Sequence, residues 1–228
     1  MFKIIGLLFV AFSFCNNLVA QSDSIHWQRV PQKKVVKLLQ QNQLNTSNDF
    51  KDLNTHCYAT DDSSTYSFHT KTYSLTESIE KVWWAYTRQN PTLAVQKRGK
   101  IQFGLMYVEV KDELFYGNSS FEEMTEGQII FWNLRLMGGF LKIAVGQKVT
   151  QVDSNQHQLQ ICYLQDGKSK GSQSIKLVPM ANGGTQIIHQ TYFKSHSKFR
   201  DRHLYPGLHE NAIDAYHRSV AKFLRDKN

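Results

Sequence analysis

At 228 residues and 41% hydrophobic composition, the chain is long enough to bury one sizeable core, and its composition excludes a disordered segment or a multi-span membrane protein. A formal net charge of +8, from 27 Lys and Arg against 19 Asp and Glu, favours anionic partners. With no arginine run and no nucleic-acid motif, that charge points away from nucleic acid and towards lipid headgroups, envelope polymers or acidic ligands.

The first twenty residues carry Lys3, the apolar run IIGLLFVAFSF and LVA ending at Ala20, the three parts of a secretory signal peptide. The run falls short of the roughly 20 apolar residues that a membrane span needs. Cleavage after Ala20 is expected to leave Gln21 as the first residue of a secreted or periplasmic protein. Cys15 is a poor lipidation site, because the bulky Phe14 precedes it. The two remaining cysteines, Cys57 and Cys162, then lie in a compartment that permits disulfides; a bridge and a pair of buried thiols are both open.

VPQKKVVKLLQQNQ places Val35, Leu38 and Leu39 at helical spacing. From Gln43 to Ser64 the chain is rich in Asn, Asp, Ser and Thr, which reads as a linker or a loop lying on the domain. The expected organisation is a signal peptide at 1–20, an N-terminal helix and polar linker at 21–64, and a folded domain at 65–228. Strand-like TYSFHTKTY runs into SLTESIEKVWWAYTRQN, where Ser74 with Glu77 fits a capping box and Thr76 is an alternative cap. A break follows at Asn90-Pro91, then the strand KIQFGLMYVEVK, a turn at Asp112, and ELFYGN as a continuation of the hairpin. GQIIFWNLRLMGG, 127–139, is apolar without clean alternation and fits strand or helix equally. Four strand-length runs then alternate with turn residues at Asp153-Ser154-Asn155, Asp166-Gly167 and Asn182-Gly183-Gly184, an antiparallel meander. The proline-started PGLHENAIDAYHRSVAKFLRD closes the chain as an amphipathic helix, with Ile213, Tyr216, Val220, Phe223 and Leu224 on one side and His209 and His217 among them.

This order of elements resembles the START-like superfamily (SRPBCC, helix-grip), in which a curved sheet wraps round a C-terminal helix and encloses a hydrophobic cavity. The likeness spans about residues 65 to 227, and its most specific local part is LTESIEKVWWAYTR. It implies an α+β fold with an antiparallel sheet of about seven strands. No catalytic signature is shared across the superfamily, so it assigns no functional residue. On the first domain helix, Ile79, Val82, Trp83 and Tyr86 share a face, whereas Trp84 lies about 140° from Ile79. Trp84 is expected under the N-terminal segment, at the cavity mouth or against a membrane.

Two motif matches fail on context. GKSKG at 167–171 matches G-x-S-x-G, but a strand rather than a helix follows Ser169; HENAI has Ile213 where a zinc site needs its second histidine. Five of the nine histidines follow residue 188, yet His209 and His217 stand about 12 Å apart along a helix, too far to share a metal ion directly. No metal, cofactor or catalytic residue is therefore assigned. Each histidine reads either as a buried hydrogen-bonding group or as a polar contact in an apolar cavity. The candidate ligand-binding residues are His189, His209, Tyr216 and His217, with apolar contacts from Trp83, Phe103 and Tyr107. The segment KSHSKFRDRHLYPG interleaves Lys194, Lys198, Arg200 and Arg202 with Phe199 and Tyr205, the composition of a cavity rim facing anionic headgroups or simply of a solvated loop. The expected function is binding of a lipid or other hydrophobic small molecule, with an anionic membrane surface as a further partner. A cyclase- or hydrolase-like enzyme using cavity His and Tyr, or a non-catalytic envelope scaffold, are the alternatives.

Overall fold

The computed structural model describes residues 23–92, 99–165, 167 and 169–227; the expected signal peptide, its cleavage site and Asp166 lie outside the described residues. The elements are α1 (Lys33–Gln41), β1 (Ser67–Leu75), α2 (Ile79–Arg88), β2 (Ile101–Val108), β3 (Glu113–Phe115), β4 (Ile129–Leu136), β5 (Leu141–Asp153), β6 (Gln158–Tyr163), β7 (Lys170–Pro179), β8 (Thr185–Lys194) and α3 (Tyr205–Lys227). The strands form one antiparallel sheet in the order β1-β8-β7-β6-β5-β4-β2-β3. Eight strands replace the expected seven or so, because the hairpin at Asp112 (φ 51) continues into the three-residue β3 and the undecided 127–139 segment forms β4.

Both faces of the sheet are buried at β4, which explains the ambiguous pattern of that strand. Ile129 and Phe131 join an outer core with Val35, Leu39, Leu44 and Phe50 of the N-terminal segment, while Ile130 joins an inner core with Phe103 and Met106. A strand covered on both sides has no polar face to alternate with. The segment read as a polar linker thus lies along the outer face, closed by a capping box of Thr46 and Asp49. Its end is stitched to β6 and β7: His56 N donates to Tyr163 O (2.8 Å), Gln165 N to Asn54 O (2.9 Å), and Gly171 N to His56 O (2.7 Å). Cys57 is disulfide-bonded to Cys162 of β6, Cα atoms 4.9 Å apart, so of the two readings the bridge is the one formed.

A bulge between Phe103 and Leu105 sets which side chains face inward on β2. One extra residue reverses the facing of everything beyond it. Gly104 sits in that bulge with no room for a side chain, since a Cβ would lie 2.8 Å from both methyls of Val35 on α1. Phe103 therefore joins the inner core, and Tyr107, four residues on, joins the outer core.

On the inner face, β8 alternates without exception: Thr185, Ile187, His189, Thr191 and Phe193 are buried. Across from it α3 buries Ala212, Ile213, His217, Val220 and Leu224, each apolar one removing a side chain worth roughly 1.5–3 kcal/mol from water if of Val or Leu size. α2 packs beside α3 through Val82, Ala85 and Tyr86. β1 extends to Leu75, past Ser74, and α2 starts later than expected with Ser78 as its N-cap, so neither the Ser74–Glu77 capping box nor the Thr76 cap forms. Trp84, 41% exposed, stacks on Phe223 of α3 with ring centroids 5.4 Å apart. It clamps the two helices together rather than packing beneath the N-terminal segment.

Two outcomes test this architecture. Val220→Asp places a charge where the side chain is 0% exposed and should destabilise the domain by more than about 4 kcal/mol, read as loss of a cooperative melting transition. Replacing Cys57 and Cys162 together by Ser releases a link spanning 105 residues and should lower the unfolding free energy by about 2–5 kcal/mol in guanidinium titrations, with earlier proteolysis within 23–65.

Candidate functional site

Between the inner face and α3 lies a cavity of about 100 Å³, walled by Ile130, Trp132, Val145, Ile161, Ile175 and Ile213 among others. These come from β4, β5, β6, β7 and α3, each from an inward position of its own element. Its polar lining is Gln147, Gln173, His189, His209 and Tyr216, with no Asp, Glu, Lys or Arg lining it among the described residues.

Those polar groups are tied into a buried chain of hydrogen bonds. Gln173 donates from Nε2 to the Tyr163 hydroxyl (2.8 Å), and its Oε1 contacts His189 Nε2 (2.9 Å). His189 Nδ1 meets His217 Nε2 at 2.8 Å, His217 Nδ1 meets the Tyr86 hydroxyl, and Tyr163 meets Tyr205 hydroxyl to hydroxyl at 2.6 Å. A neutral imidazole carries one N–H. With Gln173 Oε1 as acceptor, His189 holds its proton on Nε2, so its Nδ1 accepts from His217 Nε2–H, and His217 Nδ1 accepts from Tyr86. The order runs Tyr86, His217, His189, Gln173, Tyr163, each donating to the next, given this orientation of the Gln173 amide, and in the closing Tyr163–Tyr205 bond either hydroxyl can donate.

Burial keeps the chain uncharged. Desolvation pushes His217 down to about 3 and holds His189 and His209 well below the usual imidazole range, with the neighbouring histidines adding to the effect. It raises the Tyr163 and Tyr216 hydroxyls to about 12. Beside the chain, Lys71 of β1 bridges Glu210 and Asp214 of α3, and Tyr73 donates to Asp214 Oδ1 (2.7 Å). Among the described residues no three His, Cys, Asp or Glu side chains converge to hold a metal ion.

His209 stands apart from the chain. Its ring stacks on Tyr205 (5.1 Å, 14°) and lies edge-on to His189 at 5.8 Å. Its Nε2 has a long 3.5 Å contact with Thr191 Oγ1, and its Nδ1 is buried with no hydrogen-bond partner among the described residues. An unpaired buried nitrogen on a cavity wall is suited to meet a ligand's polar group.

Of the residues singled out from sequence, His189, His209 and Tyr216 line the cavity, and His217 lies one hydrogen bond behind His189. Phe103 stands behind the wall, edge-on to Trp132 at 6.0 Å. Trp83 packs with the α2–α3 cluster and meets His157 edge-on, away from the cavity. Tyr107 is a correction: the Gly104 bulge turns it to the outer face, where it stacks on Phe50 (5.3 Å) and donates to Asp112 (3.0 Å). Gln173 and Tyr163 went unnoticed, although each is a polar residue in the inward register of an otherwise apolar strand.

No protein-family model matches the chain, and no curated protein is similar to it in sequence. Among solved structures the chain is similar to norcoclaurine synthase from Thalictrum flavum in complex with dopamine and hydroxybenzaldehyde, at 12% identity over 78% of this chain and 98% of that one, TM-score 0.50. It is also similar to a protein of Thermus thermophilus, at 11% identity over 71% of this chain and 99% of that one, TM-score 0.53.

The buried imidazoles give a pH dependence of definite sign. Unfolded histidine takes up a proton near pH 6.5, whereas folded His217 does so only near 3, so between these values the unfolded state binds more protons. Stability is therefore full above about pH 6.5 and falls as pH drops through that window, by roughly 1 kcal/mol per pH unit for each such imidazole. Urea unfolding at pH 7, 6, 5 and 4 reads this directly; a flat profile would show the histidines to be charged or solvated.

With its eight-stranded antiparallel sheet closed over a long C-terminal helix, the chain has the START-like (SRPBCC) helix-grip fold.

Proposed function

We propose that this protein binds a hydrophobic small molecule or lipid in the cavity between the sheet and α3. The observation that carries the reading is the composition of that cavity: apolar walls, no charge, and a few neutral polar groups, one of which, His209 Nδ1, has no partner among the described residues. Such a lining favours a largely apolar guest and orients it by one or two hydrogen bonds. The complex of norcoclaurine synthase with dopamine and hydroxybenzaldehyde lends support, since a similar fold there holds small aromatic molecules.

The Cys57–Cys162 bond supports a place of action outside the reducing cytoplasm, secreted or periplasmic. An anionic membrane surface suits the exposed apolar side chains of Phe140 (98% exposed), Met137, Phe199 and Leu204, which lie close in sequence to the exposed Lys142 and Arg202. The enzymatic reading, acid or base chemistry by cavity His and Tyr, is favoured by the Tyr–His–His–Gln chain. It is disfavoured because every ring nitrogen in that chain already has a partner.

Ala212 lies in the cavity wall and is 7% exposed. Ala212→Phe should fill the space and weaken binding of the neutral fluorophore N-phenyl-1-naphthylamine at least tenfold, about 1.4 kcal/mol, at a stability cost of about 1–3 kcal/mol. Fluorescence titration beside a melting curve separates the two effects. Unchanged probe affinity in the folded variant would exclude this cavity as the binding site.

A further inference from the structure

A second cavity, also about 100 Å³, continues from the first: Leu134, Val145, His209 and Ala212 line both. The second reaches Tyr163, Tyr205, Ser169 and Arg200. Among the described residues the lining changes character along this path, from uncharged under α3 to the Arg200 guanidinium at the far end.

Arg200 belongs to a π-helical turn, Arg200–Leu204, that leads directly into α3. Its Nη2 donates to Ser169 Oγ (2.8 Å), in the loop between β6 and β7. Its Nε is buried without a hydrogen-bond partner among the described residues, with Asp201 Oδ1 3.5 Å away. Asp201 pairs with the guanidinium through this 3.5 Å ion contact alone, while its carboxylate also accepts from Ser195 N and Ser195 Oγ at 2.7 Å each. A guanidinium has five N–H donors in a planar fork, and these contacts use few of them. The Tyr205 ring lies 5.8 Å from Arg200 Cζ.

The hydrogen-bond chain ends at this same place. Tyr163, which accepts from Gln173 Nε2, meets Tyr205 hydroxyl to hydroxyl, and either hydroxyl can donate in that bond. Both hydroxyls thus stand with Arg200 in the lining of this cavity end.

We propose that the end lined by Arg200, Tyr205 and Ser169 is a head-group site for an anionic amphiphile, a carboxylate or a phosphate monoester, whose apolar tail passes His209 into the uncharged cavity. This assignment rests on the cavity reading above and adds the charge and orientation of the guest.

Isothermal titration calorimetry of the intact mature protein with octanoate, octyl phosphate and octanol at pH 7.5 tests it. At least one anion should bind tenfold or more tightly than octanol, and the tighter of the two identifies the head. Arg200→Gln should abolish that preference by weakening the anion far more than octanol, Arg200→Lys should restore part of it, and Tyr205→Phe should weaken the anion several-fold. The comparison of anion with alcohol on the unaltered protein decides the matter even if a variant misfolds. Equal affinity for anion and alcohol, or a preference that survives Arg200→Gln, overturns the head-group site while leaving the cavity reading intact. Failure of all three probes to bind overturns both.

Discussion

The hydrogen bond between His189 of β8 and His217 of α3, at 2.8 Å, is the constraint on which the inner half of the molecule depends. α3 must bury its apolar stripe against the sheet, and that stripe includes an imidazole. An unpaired buried imidazole would cost on the order of 1–3 kcal/mol, so the helix is held at the rotation and height where His217 reaches both His189 and Tyr86. Apolar packing alone tolerates small slides; a chain of bonds between 2.6 and 2.9 Å does not. The network thus fixes the gap between helix and sheet, which is the cavity.

The outer face supplies the complementary rigidity. β2, β4 and β5 would otherwise expose Leu105, Ile129 and Phe131 to water, and the N-terminal segment covers them with Val35, Leu39 and Phe50. Val35 seats on Gly104, and Cys57 anchors the segment's far end to β6. Strands packed on both faces resist bending. Of the strands that form the cavity wall, β4 and β5 are held this way, through Ile129, Phe131 and Ala144.

The chain's architecture was readable in the sequence where periodicity was clean: the alternation of β8, the 3.6-residue stripe of α3, and the turn residues of the meander. It was unreadable where a strand is buried on both faces, as in β4, because a doubly apolar strand and a buried helix have the same composition. The placing of Tyr107 beside Phe103 failed on a single bulge residue, a feature fixed by the tertiary contact of Gly104 with Val35 rather than by local preference. The histidines could be placed on the inward face of α3, but their partners could not, since Gln173, His189 and Tyr163 come from three strands joined only by sheet register. Trp84 has the opposite explanation: its partner Phe223 is 139 residues away, on a helix whose position relative to α2 the sequence does not specify.

The distribution of charge decides which end of a guest can lead. An ion moved under α3 would lose its hydration and meet only neutral groups, a penalty of several kcal/mol at least. His189, His209 and His217 cannot relieve it by taking up a proton near neutral pH, because burial holds all three below their usual range. The ion pairs of Lys71 with Glu210 and Asp214 lie on the outer flank of α3 and satisfy one another. Among the described residues that leaves an uncharged interior ending at the Arg200 guanidinium, an arrangement that favours an apolar group over a charged one under α3. The same hydrogen-bond chain that fixes the height of α3 ends at Tyr205 beside that guanidinium, so the geometry of the cavity and the polarity of its end have one physical origin.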